Sequence, residues 1–247
     1  VEVYDIIKSI MTQGKTSKPR GLEIKEINYF SSEIHNPWSN YPARQYPMDY
    51  FKREMQWYLH ADMFDKRIIK HAKTWEKIVQ KQGIIFSNYG YYWFGKQQGY
   101  KTCLNILQED PNSRQSYLPM CNYHHMFKGN NDVVCTKGIQ FRIIDNKLYM
   151  HVSMRSSDAI FGLATDLPCF YTLMCMMSFD LKVPLGKFIF SADSVHIYKP
   201  RYKMALDILN KDKTQIYYEI PKITSTEDLI NETYKSPFGL WLTQVKL

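Results

Sequence analysis

Residues 154–177 read MRSSDAIFGLATDLPCFYTLMCMM. An arginine, two serines and an aspartate come first, then a glycine, then a nearly unbroken apolar run. A helix that is apolar almost all round has no face to give to water, so it belongs inside a protein. Asp166 stands at the mouth of that run. A carboxylate at such a place is costly unless it is paired, hydrogen-bonded or protonated. The stretch therefore predicts a buried central helix behind a polar loop, with a carboxylate whose purpose has to be found.

The flanking sequence supplies strands. In IQFRIIDNKLYMHVSM (139–154), Ile139, Phe141 and Ile143 alternate, DNK turns the chain, and Leu148, Met150, Val152 and Met154 alternate again. That is a hairpin whose second strand runs straight into Arg155. Cys135 lies just before its first strand. KFIFSADSVHIY (187–198) is a further strand, with Phe188, Phe190 and Ala192 in alternation and His196 and Tyr198 on one face. DYFKREMQWYLHADMF (49–64) reads as a helix with Asp49 as N-cap and Phe51, Met55, Tyr58 and Leu59 along one side. Glu54 falls on that apolar side. Either a neighbouring Arg or Lys satisfies it, or it is a site carboxylate. TQGKTSKPRG (12–21), HNPWSNYPARQYP (35–47) and HHMFKGNNDVV (124–134) read as loops. Strands and helices mix without strict alternation, which predicts an α+β fold. No linker, repeat or low-complexity segment divides the chain, so residues 1–247 read as a single domain.

Composition narrows the function classes. Apolar residues make up 45% and charged residues 23% of the chain, ordinary globular usage. No apolar stretch is long enough to span a bilayer. VEVYDIIKSIMTQGK lacks the apolar core and small-residue cleavage site of a signal peptide. The balance of 32 Lys and Arg against 24 Asp and Glu gives +8, which favours anionic partners. The charge is spread rather than blocked, which argues against a nucleic-acid tail. The five cysteines show no CxxC or CxxH spacing, so neither a disulfide framework nor a zinc site is expected, and the compartment reads as cytoplasmic.

Taken singly, the polar features stay ambiguous. Cys135 is a nucleophile only in a polar or cationic setting and otherwise a small buried hydrophobe. SRQSY (113–117) and RSSD (155–158) each set a guanidinium beside a hydroxyl, which suits a phosphate or a solvated surface alike. A basic, aromatic-rich chain with 19 Tyr and 13 Phe could also be a nucleic-acid-binding module that stacks bases. Such a module has no use for a thiolate, so Cys135→Ser separates the two classes.

Order and spacing decide more. CTKGIQF (135–141), MRSSDAIFGLATD (154–166) and HIY (196–198), preceded by KREMQWYL (52–59), SNYG (87–90) and DPNSRQ (110–115), resemble the thymidylate synthase superfamily, which holds thymidylate synthases and pyrimidine-nucleotide hydroxymethylases. The resemblance covers most of the chain. It implies a large mixed β-sheet packed with helices, with sheets back to back in a homodimer. It implies that Cys135 adds as a thiolate to C6 of a pyrimidine, making C5 able to accept a one-carbon unit. Glu54 would organise water and protons around the base, and Tyr89 would help remove the C5 proton. Arg155 and Ser156 would hold the 5′-phosphate, with Arg114 reaching it from the partner subunit. His196 and Tyr198 would bind the sugar hydroxyl. Trp75, Asp158 and Gly162 would contact 5,10-methylenetetrahydrofolate, the co-substrate. No metal, nucleic acid or membrane is implied.

The sequence departs from the synthases at informative points. Gln115 stands where the family's arginine loop has a second arginine, so one phosphate contact is lost or is supplied elsewhere, by Arg20 or Lys18. Ile78 replaces a second folate tryptophan. Thr136 replaces the histidine after the nucleophile, and Met154 the glutamine before Arg155. The C-terminal KSPFGLWLTQVKL stands where the family's tail folds over the folate, without matching it closely.

Asp166 occupies the position of the asparagine that reads uracil. An amide offers one acceptor and two donors, matching the uracil edge. Cytosine reverses that pattern, and a carboxyl group sharing one proton with N3 matches cytosine. Burial would favour keeping the proton. That proton would also stabilise charge pushed toward N3 when a thiolate adds at C6. Asp166, the Met154–Arg155 pair and the Cys135–Thr136 pair look like the phage dCMP hydroxymethylases, which implies 5-hydroxymethyl-dCMP as product and, for a phage enzyme, the host cytoplasm. A pyrimidine nucleotide C5-methyltransferase acting on dCMP or dUMP, and a CMP hydroxymethylase, remain alternatives.

Overall fold

The computed structural model describes residues 1–38, 48–96, 98–127, 129–211, 219–231 and 235–247. Its organising feature is one parallel strand pair. Strands β5 (Lys147–Met154) and β7 (Leu185–Tyr198) lie side by side and parallel. Parallel neighbours cannot be joined by a tight turn and need a long crossover. Helix α5 (Gly162–Leu181) is that crossover, and the polar loop of residues 155–161 carries the chain into it. The helix that looked buried from its composition is buried: Leu163, Leu167, Phe170, Leu173, Met174 and Met177 are all closed to solvent. Asp166 sits in its second turn rather than at its first residue.

The remaining pairs are antiparallel except one. β4 (Thr136–Ile144) turns into β5 through Asp145 and Asn146, both at positive φ (50° and 57°), the backbone that a two-residue hairpin of native twist requires. β2 (Ile24–Glu33) pairs the far side of β7, and β1 (Lys15–Ser17) edges β2. β3 (Tyr117–Pro119) edges β4. β6 (Ser157–Asp158) adds two residues parallel to β7. The order β1-β2-β7-β5-β4-β3, with β6 off that path, makes a mixed seven-stranded sheet.

Alternation sorts the sheet's faces. Leu148, Met150, Val152 and Met154 of β5 and Phe188, Phe190 and Ala192 of β7 point to one buried side. α5 packs there, and against it pack α2 (Met48–His60) and α4 (Gly99–Glu109), with α3 (Tyr89–Phe94) between α2 and α4. α1 (Val3–Gln13) and α6 (Tyr202–Lys211) contact each other and β7. α7 (Thr226–Ile230) and α8 (Pro237–Leu242) lie on α2.

Three expectations change. α2 begins at Met48, so Asp49 lies inside its first turn rather than at the cap. It ends at His60 instead of running to 64, because Ala61 takes a left-handed conformation (φ 52°). The loop expected over 12–21 contains the edge strand β1, too short and too polar to show a period. Of the loop expected over 35–47, residues 39–47 lie outside the described residues.

Candidate active site

The crossover brings four elements to one place. Met154 ends β5, and Arg155 immediately turns back: its amide donates to the Cys135 carbonyl at 2.8 Å. Its guanidinium donates to the carbonyls of Val133 and Val134, and lies 3.5 Å from the Cys135 sulfur. One arginine thus clamps the loop that carries the thiol. A register shift between Thr136 and Gly138, directly after Cys135, re-aims the strand at this point. Burial pushes the Cys135 thiol up, Arg155 pulls it down, Asp166 and Asp132 push it up again, and Arg20 lowers it.

Glu54 projects from α2 into the same space and is 4% exposed. Among the described residues no base pairs with it. Its neighbours Lys52 and Arg53 turn away to the C-terminal segment, Lys52 to the Gln244 side chain (2.7 Å) and Arg53 to the Lys246 carbonyl (3.0 Å). Instead the Tyr58 hydroxyl donates to Glu54 at 2.6 Å, and Tyr50 bonds it from one turn earlier. Burial raises the Glu54 carboxyl and the two phenols resist that rise. Asp166 is held well above the carboxylate range by burial, with the charges of Glu54 and Asp158 adding to it.

Tyr89 opens α3 and stacks on Tyr58 (5.3 Å between centroids, 17°) and on Phe170 of α5 (5.8 Å, 14°). The close approach depends on Gly90, where a Cβ would fall inside the Tyr58 carbonyl. Burial lifts the Tyr89 hydroxyl far above its usual value, with Asp166 and Cys135 adding to it. The turn before Tyr89 is stapled to the thiol loop: Asp132 accepts from the Ser87 amide (2.8 Å) and from its hydroxyl. Asn88 donates to the carbonyls of Trp57 (3.2 Å) and Asp62 (3.1 Å). Neither Asp132 nor Ser87 stood out in the sequence, and neither did Tyr50. A buried acid with a serine as its partner leaves no periodic signal.

The mouth of the site is polar. His196 and Tyr198 meet edge to face at 4.8 Å, and His196 Nδ1 is buried without a hydrogen-bond partner among the described residues. The Ser157 hydroxyl is likewise buried and unpartnered. Such atoms normally have partners, so both are candidates to meet a ligand. Ser156 is half-buried between Arg155 and Ser157. Arg20 is exposed on a left-handed turn (φ 52°), and its charge acts on Cys135, His196 and Tyr198. Lys18, the other candidate for that contact, pairs with Glu23 at 3.9 Å. Among the described residues, no hydrogen bond or ion pair ties the Arg114 guanidinium to this pocket. Arg114 is exposed beside β3, its carbonyl accepting from Gln140 at 3.1 Å.

Over the rim, Trp75 is half-buried against Trp57 (4.9 Å) and donates its indole N–H to Tyr50 at 2.7 Å, with Ile78 half-buried nearby in sequence. Asp158 accepts from the Ile160 amide at 2.9 Å. A Cβ at Gly162 would stand 3.5 Å from Asp158 Cβ and 3.6 Å from Asp166 Oδ2, so glycine leaves that space open. The C-terminal segment is drawn onto α2 by Gln56, which donates to the carbonyls of Leu242 (2.9 Å) and Val245 (3.0 Å). All five cysteines are free, and no cluster of three metal-ligating side chains occurs among the described residues. No helix among them is long and apolar enough to cross a membrane.

The pocket thus sets a thiol beside a guanidinium, with a buried and a half-buried acid and a buried phenol around it. The thymidylate synthase family model matches residues 2–236. The chain belongs to the thymidylate synthase family. It is 28% identical over 182 residues to the deoxycytidylate 5-hydroxymethyltransferase of Enterobacteria phage T2, covering 68% of this chain and 74% of that protein. The corresponding phage T4 protein is 28% identical over 168 residues, 62% of this chain and 68% of that one. A thymidylate synthase of Buchnera aphidicola (subsp. Baizongia pistaciae) is 22% identical over 240 residues, 86% of this chain and 89% of that one. As a family member the protein is an enzyme of folate-dependent C5 modification of a pyrimidine nucleotide. The family's co-substrate is methylenetetrahydrofolate.

Proposed function

We propose that this enzyme is a deoxycytidylate 5-hydroxymethyltransferase, which converts dCMP to 5-hydroxymethyl-dCMP. The observation that carries the reading is Asp166, half-buried and beside Glu54 in surroundings that raise its carboxyl well above the usual range. A protonated carboxyl donates to cytosine N3 and accepts from the N4 amine. Uracil would set its own N3–H against that proton, a mismatch that costs on the order of ~1–3 kcal/mol. Cys135 is the nucleophile toward C6, with Arg155 as the nearest charge able to stabilise its thiolate. Arg155 and Ser156 hold the 5′-phosphate, with Arg20 supplying the contact that Gln115 cannot. His196 and Tyr198 take the sugar hydroxyl, and the unpartnered His196 Nδ1 supports this. Glu54 organises water and protons over the base. Tyr89, whose raised hydroxyl stays protonated, assists removal of the C5 proton by donating a hydrogen bond to the water that takes it. Methylenetetrahydrofolate, held by Trp75, Asp158 and Gly162, supplies the one-carbon unit, and water completes the hydroxymethyl group. The working enzyme is a homodimer in which Arg114 reaches the partner's phosphate site.

A second reading, a C5-methyltransferase on dCMP or dUMP, is favoured by the near-full-length match to a thymidylate synthase. One assay separates them. The purified enzyme is given dCMP or dUMP with methylenetetrahydrofolate and the nucleotide product is weighed. Hydroxymethyl-dCMP with tetrahydrofolate is expected. Methyl-dCMP with dihydrofolate overturns the hydroxymethyl reading, and turnover of dUMP alone overturns the role given to Asp166. Cys135→Ser is expected to bind nucleotide and turn over none.

A further inference from the structure

Residues 50, 54 and 58 are one helical turn apart on α2, so their side chains share a face. All three are polar on a buried stripe: a carboxylate with a phenol on each side. Tyr58 ends its chain of contacts at Glu54. Tyr50 does not, because the Trp75 indole N–H reaches its oxygen at 2.7 Å. An indole N–H can only donate. The Tyr50 oxygen therefore accepts from Trp75, and its own O–H is the donor left for Glu54. The direction is fixed as Trp75 to Tyr50 to Glu54, with Tyr58 donating from the other side. Chains of this kind polarise along their length, so an ionised Glu54 strengthens the pull on the Tyr50 proton and, through it, on the Trp75 N–H.

We propose that Tyr50 is a positioning residue that joins the Trp75 indole to the Glu54 carboxylate, so that occupation of the folate platform is felt at the group handling protons over the base. This rests on the roles given above to Trp75 and Glu54. It adds a residue to which neither the family resemblance nor the helix pattern assigned a part. The groups facing Glu54 are Tyr50 and Tyr58 on its own helix, Asp166 and Cys169 on α5, and Tyr89 on α3. Of these, Tyr50 alone is bonded to Trp75 among the described residues.

The test uses the full-length protein with its indole nitrogens labelled with 15N, the Trp75 resonance being assigned by its loss in Trp75→Phe. In the wild type the Trp75 N–H resonance is expected to shift with pH. In Glu54→Gln and in Tyr50→Phe that titration is expected to vanish, while the resonance of Trp57 stays in place as a check on the fold. Saturating tetrahydrofolate is expected to move the titration midpoint in the wild type. A resonance that does not titrate in the wild type, or that titrates unchanged in Tyr50→Phe, overturns the link. Should Tyr50→Phe fail to fold, persistence of the titration in Glu54→Gln overturns it equally. These readouts need no turnover. A titrating, Tyr50-dependent indole in a protein that makes no product from either nucleotide sinks the proposed reaction and leaves the link standing. Turnover with a flat indole does the reverse.

Discussion

Asp166 carries a cost that can be measured. An unfolded aspartate titrates near ~4, whereas in the folded chain desolvation and the charges of Glu54 and Asp158 hold this carboxyl well above that. Between those two values the folded chain holds a proton that the unfolded chain has released. Stability therefore falls as pH rises through that window. An asparagine side chain does not titrate, so Asp166→Asn is expected to gain nothing near pH 4 and to be the more stable protein at pH 8. The gain should be a few degrees in Tm, at ~2–4 °C per kcal/mol for a chain of this size. Equal Tm differences at both pH values would mean that the folded carboxyl titrates normally. The same substitution is expected to move nucleotide preference from dCMP toward dUMP, read from the ratio of kcat/KM values. Stability gained where specificity is lost is the usual exchange at a site residue. Asp166 was legible because an acid in an apolar run violates a simple rule. Tyr50 was not legible, since a tyrosine on a half-buried face violates none.

At the scale of elements, the site depends on two loops being held in register. Arg155 clamps the Cys135 loop from β5, and Asp132 ties that loop to the turn before Tyr89. These two residues act on the thiol with opposite signs, Arg155 lowering and Asp132 raising it. Alkylation by iodoacetamide follows the thiolate. Its pH midpoint at Cys135, mapped by peptide mass to separate it from the other four cysteines, is expected to rise in Arg155→Gln and to fall in Asp132→Asn. Shifts of the same sign in both variants would show that loop disorder, not charge, sets the thiol. Elements were readable where a period ran long enough. The β4–β5 hairpin and β7 alternate over many residues, and α2 shows its face through Phe51, Met55 and Tyr58. α1 was not expected, although Val3, Ile6, Ile7 and Ile10 stand at helical spacing and are buried, because so short a helix repeats its period only a few times. β1 had no such pattern to find. The carboxylate of Glu54 was read correctly as buried, but the choice between a basic partner and a site role turned on where Lys52 and Arg53 point. Residues next to each other on a helix do not face each other, so adjacency was a poor guide.

For the whole molecule, among the described residues the second face of the sheet carries a row of half-buried side chains. Tyr149, His151 and Ser153 of β5 and Ile189, Ser191 and Asp193 of β7 point there, half-buried, between polar pairs such as His151 with Ser191 (2.8 Å) and Lys137 with Asp193 (2.9 Å). A twofold contact places the same patch on both subunits, so a residue near that face can serve its neighbour's site. Arg114 is the residue proposed above to serve in this way. It is exposed beside β3, its carbonyl bonded to Gln140 of β4, and no hydrogen bond or ion pair of its guanidinium reaches the Cys135 pocket among the described residues of its own chain. If each phosphate site takes Arg114 from the partner, two damaged chains can repair each other. Cys135→Ser lacks the nucleophile and Arg114→Ala lacks the shared guanidinium, and each alone is expected to be inactive or nearly so. In a mixed dimer, the Cys135 of one chain meets the Arg114 of the other, giving one intact site, while the second site carries both defects. Random exchange of equal amounts makes half the dimers mixed, so activity is expected to recover to about one quarter of wild type. Recovery should follow the rate of subunit exchange, monitored by mass spectrometry of the intact dimers. No recovery after complete exchange would mean that Arg114 serves its own chain or no site at all, and a monomer in sedimentation would remove the shared site altogether.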